Sequence, residues 1–302
     1  MSSEKFYFNK GWSFESFKNH ILSSECRTNC NKCDYCKFMR ELKPHLTEIP
    51  EMVFPQNKLV IKYNKNDNNL KNLSNYENNL KQNNSTINNF SNVQISFECI
   101  NALKLIGKSN PDDDLKVSYS KEWLQSREES ETQLKGMVKS YDWTFTTSYI
   151  GDLLLNLDNT DSYFEKDQTF PQNSESIDYE MLKIPEKILF FDQIDLYEDE
   201  LGDNGISKCD VKIRVTPSYM FILLRFFLRV DGVIARSKET RYFHQFDTNY
   251  ILREHSEKEQ KLSANDNYDI PSTNILSNID EVCSKLPVLR MYTEKINIHV
   301  SC

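Results

Sequence analysis

The stretch VKIRVTPSYMFILLRFFLRVDGVIAR, residues 211–236, narrows the folds open to this chain more than any other segment. It reads as a strand, a Thr-Pro-Ser turn, a long strand, an Asp-Gly turn and a further strand. Between 219 and 230 the even positions (Met220, Ile222, Leu224, Phe226, Leu228, Val230) are wholly apolar. The odd positions (Tyr219, Phe221, Leu223, Arg225, Phe227, Arg229) mix apolar residues with two arginines. Side chains alternate across a strand, so the two sets occupy opposite faces of a sheet. One face is predicted to build the core, and the other carries guanidinium groups toward water or a partner. Asp231-Gly232 is predicted to supply the positive φ values of a tight hairpin turn. The segment is thus the centre of an antiparallel sheet.

The rest of the chain supplies short strands and short helices around that centre. Residues 58–63 read as a strand, and 93–98 as a strand or a helix entry. Residues 97–106 read as an amphipathic helix, and 119–138 contain a charged one. A short helix is predicted over 178–183 with Asp178 as its N-cap, ended by Pro185, which lacks the helical N–H. One more helix is predicted near 278–286. A length of 302 residues allows one large domain or two ordinary ones. With no internal repeat, the pattern predicts a single α+β domain, an antiparallel two-sheet β-sandwich surrounded by several short helices. Two polar tracts interrupt it. Residues 64–92 are dominated by Asn and Lys and are predicted to be a disordered insertion, because they bury too little apolar surface to offset ordering. Residues 156–176 are acidic and Asn-rich and predict a surface loop.

A net charge of −8 with no basic run argues against nucleic acid or anionic membrane as a partner. The start, MSSEKFYFNKGWSF, has no secretory signal pattern, and the longest apolar run, 219–224, is cut by Arg225 far short of the roughly 20 residues of a bilayer span. The expected location is cytoplasmic, with the nucleus as an additional site. Cysteines are then expected as thiols or metal ligands rather than disulfides.

Catalytic motifs are missing from the sequence. There are seven glycines and no GxGxxG, GxxxxGK[ST] or GxSxG. Residues 202–205 read as a turn, and Glu198-Asp199-Glu200 before it as solvated charge. The sharpest chemical signal is Cys26, Cys30, Cys33 and Cys36. Four thiols so close point to zinc or an iron–sulfur cluster, with His20 or His45 able to replace a ligand. The first three share the CxxxCxxC spacing of radical S-adenosylmethionine enzymes, but the strand–helix barrel pattern of those enzymes is missing. The competing reading places all four sulfurs on one face of a continuous helix over about 26–42, acting as small apolar groups and unable to converge on a metal. Zinc at these four cysteines is the one cofactor considered, and none is expected otherwise. A metal-binding redox protein is accordingly the alternative from a different functional class. His244 reads as a hydrogen-bonded structural residue, and Cys99, Cys209, Cys283 and Cys302 as packing or terminal residues.

Arg225 and Arg229 lie on one strand face with about 13 Å between their Cα atoms. Lys212 and Arg214 are predicted on the adjoining strand. These cations form surface ion pairs of small energetic value, or they line a groove for an extended acidic segment or a C-terminal carboxylate.

Three strings carry a family resemblance: YDWTFTTSYIGDL, KILFFDQIDLYEDELGDNGISKCDVKIRVTPS and LLRFFLRVDGVIARSKETRYFH. With Ile49 to Phe54, the 97–103 segment and Glu122-Trp123, they resemble, in order from about Trp12 to Leu289, the TIPRL-type regulators of TOR signalling. The resemblance implies two packed antiparallel sheets with short helices outside and no catalytic residues. It also implies a partner, the catalytic subunit of type 2A protein phosphatases, including the type 4 and type 6 enzymes. Partner contact in that family implies a surface at Ile177 and around Ser237 to Glu239. Ile177 matches the family pattern and Glu239 keeps its acidic character, whereas Ser237 and Asn101 depart from it. The four-cysteine cluster is foreign to the family. Ile177 also has a local reading, as a staple against Leu182 across the N-cap Asp178.

Overall fold

The computed structural model describes residues 2–22, 33–46, 48–63, 93–107, 142–155, 175–262 and 278–298. The predicted insertion at 64–92, the predicted helix within 119–138 and all but the last two residues of the polar loop at 156–176 lie outside them. The elements run β1 (Ser3–Asn9), β2 (Trp12–Lys18), α1 (Asp34–Leu42), β3 (Met52–Val53), β4 (Lys58–Tyr63), β5 (Val93–Glu98), α2 (Cys99–Lys104) and β6 (Asp152–Leu155). After these come α3 (Tyr179–Lys183), β7 (Phe190–Asp199), β8 (Gly205–Val215), β9 (Tyr219–Val230), β10 (Ile234–Gln245), β11 (Tyr250–Lys261), α4 (Ile279–Lys285) and β12 (Val288–Asn297).

Two antiparallel sheets form the molecule, as the α+β sandwich reading anticipated. The smaller has the order β1-β2-β4-β5-β6, the larger β12-β11-β10-β9-β8-β7-β3. From β7 to β11 the larger sheet is a meander of long strands, and β9 lies in its interior. All six even residues of β9 enter the main core, where Trp12, Phe14, Ile61, Ile95 and Phe97 of the smaller sheet meet them. Near one edge the sheets are also tied by Asp192 of β7. It accepts hydrogen bonds from Ser16 (2.6 Å) and Lys5 (3.1 Å) and pairs with Lys18. Burial opposes its charge, but these donors hold its carboxyl below the usual range.

The β9–β10 hairpin differs from the expected two-residue turn. Residues 231–233 form a three-residue connection closed by Val233 N donating to Val230 O at 3.0 Å. Of these residues, the left-handed backbone falls to Gly232 alone (φ 68°), as three-residue hairpin loops require. Asp231 N donates to Asn204 O at 2.9 Å, so this turn is fastened to the β7–β8 turn. There Gly205 has φ 153°, and a Cβ on it would lie 1.9 Å from the carbonyl oxygen of Arg229.

Two helices also start later than expected. Phe97 and Glu98 finish β5, and α2 begins only at Cys99. Helix α1 begins at Asp34, because Cys33 is an extended N-cap (φ −71°, ψ 161°) whose sulfur accepts from Cys36 N at 3.5 Å. A continuous helix over 26–42 is therefore excluded, so the four sulfurs do not share one face of a single helix. Cys36 is buried, while Cys26 and Cys30 lie outside the described residues. Among the described residues no group of three His, Cys, Asp or Glu side chains could hold a metal ion, and no helix is long and apolar enough to cross a membrane.

Candidate functional site

The odd residues of β9 belong to the outer face of the larger sheet, and cross-strand register builds that face into rows. One row runs Asp210, Arg225, Glu239, Ser256; the next runs Lys212, Leu223, Arg241, Glu254. Two short helices cover the face on either side of these rows. Helix α3 is capped by Asp178, which accepts from the amides of Glu180 and Met181 at 3.0 Å each. Ile177 before the cap is 2% exposed and packs with Tyr219, Phe243 and Leu252, with Met181 and Leu182 against that cluster. The staple reading of Ile177 is thus realised, extended onto the sheet. Helix α4, capped by Asn278, lays Val282, Cys283 and Leu286 on Ile206, Phe227 and Ala235.

Charge fills the space between the helices. Arg225 Nε donates to Glu239 at 2.8 Å, and its guanidinium also pairs with Asp280 of α4. Arg241 bridges Glu239 and Glu254, the latter at 3.0 Å, and Lys258 lies 3.4 Å from Glu239. Tyr179 of α3 donates its hydroxyl to Glu254, while Lys212 donates to both carboxylate oxygens of Asp280 at 3.1 Å. Of the two settings expected for the guanidinium groups, water or a partner, water does not hold for Arg225, which is only 6% exposed. Surface ion pairing holds for Lys212 with Asp280 and for Arg229 with Asp231, whose acids are exposed, but not for Arg225 with Glu239, both of which are buried. An arginine on an outer face ends up buried because its register partner on β10 is an acid and a helix then closes over the pair. Arg229 pairs with Asp231 at 2.7 Å, one row beyond the network.

The electrostatics follow from this packing. Burial opposes the charge of Glu239, yet Arg241, Arg225 and Lys258 together hold its carboxyl below the usual range. Asp210 shows the opposite balance. Burial outweighs its neighbours Lys212 and Arg225 and raises it to about 6. On the inner face His244 donates Nδ1–H to Tyr250 O (2.8 Å), lies 4.9 Å from the Trp12 ring and is lowered by burial to about 4. It is a structural histidine, as its aromatic strand implied. Cys99, Cys209 and Cys283 are buried packing residues, and burial pushes Cys99 up to about 12.

Of the residues singled out in the sequence, Ile177, Arg225 and Glu239 are brought onto one face, with Arg229 at its margin. Arg241, Glu254, Lys258, Asp280 and Tyr179 were not anticipated. Arg241 alone carried a signal, since it repeats the odd parity of Glu239 along β10. Beside α3 the surface changes character. Tyr179 (40% exposed), Ile184 (59%), Ile188 (53%) and Phe191 (53%) present large apolar groups to solvent. Arg214, the register partner of Phe191, donates to Leu182 O at 3.2 Å and connects this strip to α3.

Comparison with known proteins gives this arrangement a context. The profile of the TIP41-like family matches residues 76–265. A TIP41-like protein of Dictyostelium discoideum is 37% identical over 286 residues, covering 94% of this chain and 90% of that protein. The TIP41-like protein of Homo sapiens is 35% identical over 285 residues, covering 94% and 86%. In Saccharomyces cerevisiae the type 2A phosphatase activator TIP41 is 34% identical over 180 residues, covering 55% of this chain and 48% of that protein. On this extent of shared sequence, the chain belongs to the TIP41-like family.

Proposed function

We propose that this protein is a non-catalytic regulator that binds the catalytic subunit of type 2A protein phosphatases and through it modulates TOR signalling. The observation that carries the reading is the exposed apolar strip of Tyr179, Ile184, Ile188 and Phe191, set beside Ile177 on the outer face. Solvent-exposed apolar groups gathered beside a rigid polar network are the usual anatomy of a protein-interaction surface. Two relatives named as type 2A phosphatase activators supply the class of partner. The network pairs each of its cations with carboxylates, which suits a scaffold more than proton transfer. The test is direct binding of the full chain to a purified type 2A catalytic subunit, measured by interferometry. Ile184→Asp and Phe191→Asp each place a charge in the strip without touching the core, and each is expected to weaken binding at least about fivefold, since truncating a buried anchor costs above about 1 kcal/mol. Failure of the unsubstituted chain to bind any type 2A catalytic subunit would refute the reading.

A further inference from the structure

Helix α4 covers the outer face by means that differ from those of the main core. It has seven residues, and an isolated helix shorter than about 12 residues is marginal in water. Its apolar contacts form a small cluster separate from the main core. Such satellite elements open locally without unfolding the rest. What aligns α4 is charge. Lys212 and Arg225 of the sheet hold Asp280 near its N-terminal end, and Lys258 donates to the carbonyl of Cys283 near its C-terminal end at 3.0 Å.

The origin of the carboxylates beneath the helix differs from cation to cation. Lys208 takes Asp195 and Glu198 from the sheet, and Arg241 takes Glu239 and Glu254. Lys212 and one arm of Arg225 instead take their carboxylate from α4, in Asp280. The Asp280 side chain is 60% exposed while Arg225 is 8% exposed, so the carboxylate reaches the cation from the solvent side, where a competitor can also approach.

We propose that α4 is a displaceable cover, seated in cis where an acidic segment of a partner protein docks on Lys212 and Arg225. Partner carboxylates replace Asp280, α4 swings away, and Ser237, which is fully buried next to Cys283, becomes available for contact. The proposal rests on the reading that this face receives the phosphatase, but its test does not require one. Hydrogen exchange of residues 279–286 is followed in the full chain at low ionic strength, with a synthetic deca-glutamate peptide as probe. The peptide is expected to accelerate exchange in α4. Asp280→Asn is expected to lower the peptide concentration at half effect about fivefold, the weight of one partly exposed ion pair. Lys212→Ala is expected to abolish that gain. Exchange in α4 that is unchanged or slowed at saturating peptide overturns the proposal, as does an Asp280→Asn response equal to that of the unsubstituted chain. Displacement by the peptide in a chain that binds no phosphatase would uphold the cover while refuting the phosphatase reading.

Discussion

Glu239 is the hub of the outer-face network, and its substitution by Gln tests whether that network holds the fold. Its side chain is 1% exposed and takes Arg225, Arg241 and Lys258. Removing one partner of a buried ion pair costs about 3–5 kcal/mol, because the other charge stays desolvated. Here each cation keeps a second acceptor: Arg225 has Asp280, Arg241 has Glu254 and Lys258 has the Cys283 carbonyl. The lower end of the range therefore applies, and Glu239→Gln is expected to cost about 3 kcal/mol. Asp280→Asn removes a largely exposed partner and is expected to cost at most about 1 kcal/mol. Urea unfolding followed by tryptophan fluorescence measures both. Raising the salt should shrink the Asp280 effect and leave the Glu239 effect standing, since buried pairs are screened far less. The pH dependence has a definite sign. The folded carboxyl of Glu239 lies below its ordinary 4.5, so its contribution is complete above that value and is lost as pH falls further. Glu239→Gln and the unsubstituted protein should then converge in stability. A Glu239→Gln cost no larger than that of Asp280→Asn would refute the hub.

Asp210 predicts a gain. Its folded carboxyl is raised to about 6 from 3.8, so ionisation penalises the folded state fully above pH 6 and not below about pH 4. Asp210→Asn is expected to stabilise the protein at pH 8 by on the order of 2 to 3 kcal/mol, with the gain gone at pH 4 in paired urea titrations. His244 is lowered to about 4 from 6.5, so the protein should lose stability as pH falls from about 6.5 toward 4. His244→Phe should flatten that slope in thermal melts, at a cost near neutral pH of about 1 kcal/mol for the lost Tyr250 hydrogen bond. Gly205→Ala is expected to destabilise by at least about 2 kcal/mol, because its Cβ meets the Arg229 carbonyl in a backbone conformation that L residues avoid. An alanine variant unfolding at the same urea concentration as the unsubstituted protein would contradict that geometry.

Period-two alternation in β9 told which residues face the core, because side-chain direction in a strand is a local property. Each of its even residues is found there. The Asp178 cap was equally legible, since it acts on amides two and three residues away. The β9–β10 turn was legible only in part: Gly232 takes the expected positive φ, but Asp231 does not, and its N–H is held by Asn204 of another hairpin. Parity likewise put Arg225 on the outer face, but whether that face is wet depends on what crosses it. Glu239 lies fourteen residues along the chain from Arg225 and Asp280 fifty-five, and strand register and the docking of α4 bring all three together. The sequence by itself determined the strands at the centre of the larger sheet, the inner face of β9 and the positions of the charges, whereas strands β1, β2, β6 and β12 carried no comparable signal. Tertiary structure decided which of those charges lose their water, because burial is set by the elements that close over a face and not by the strand that carries it.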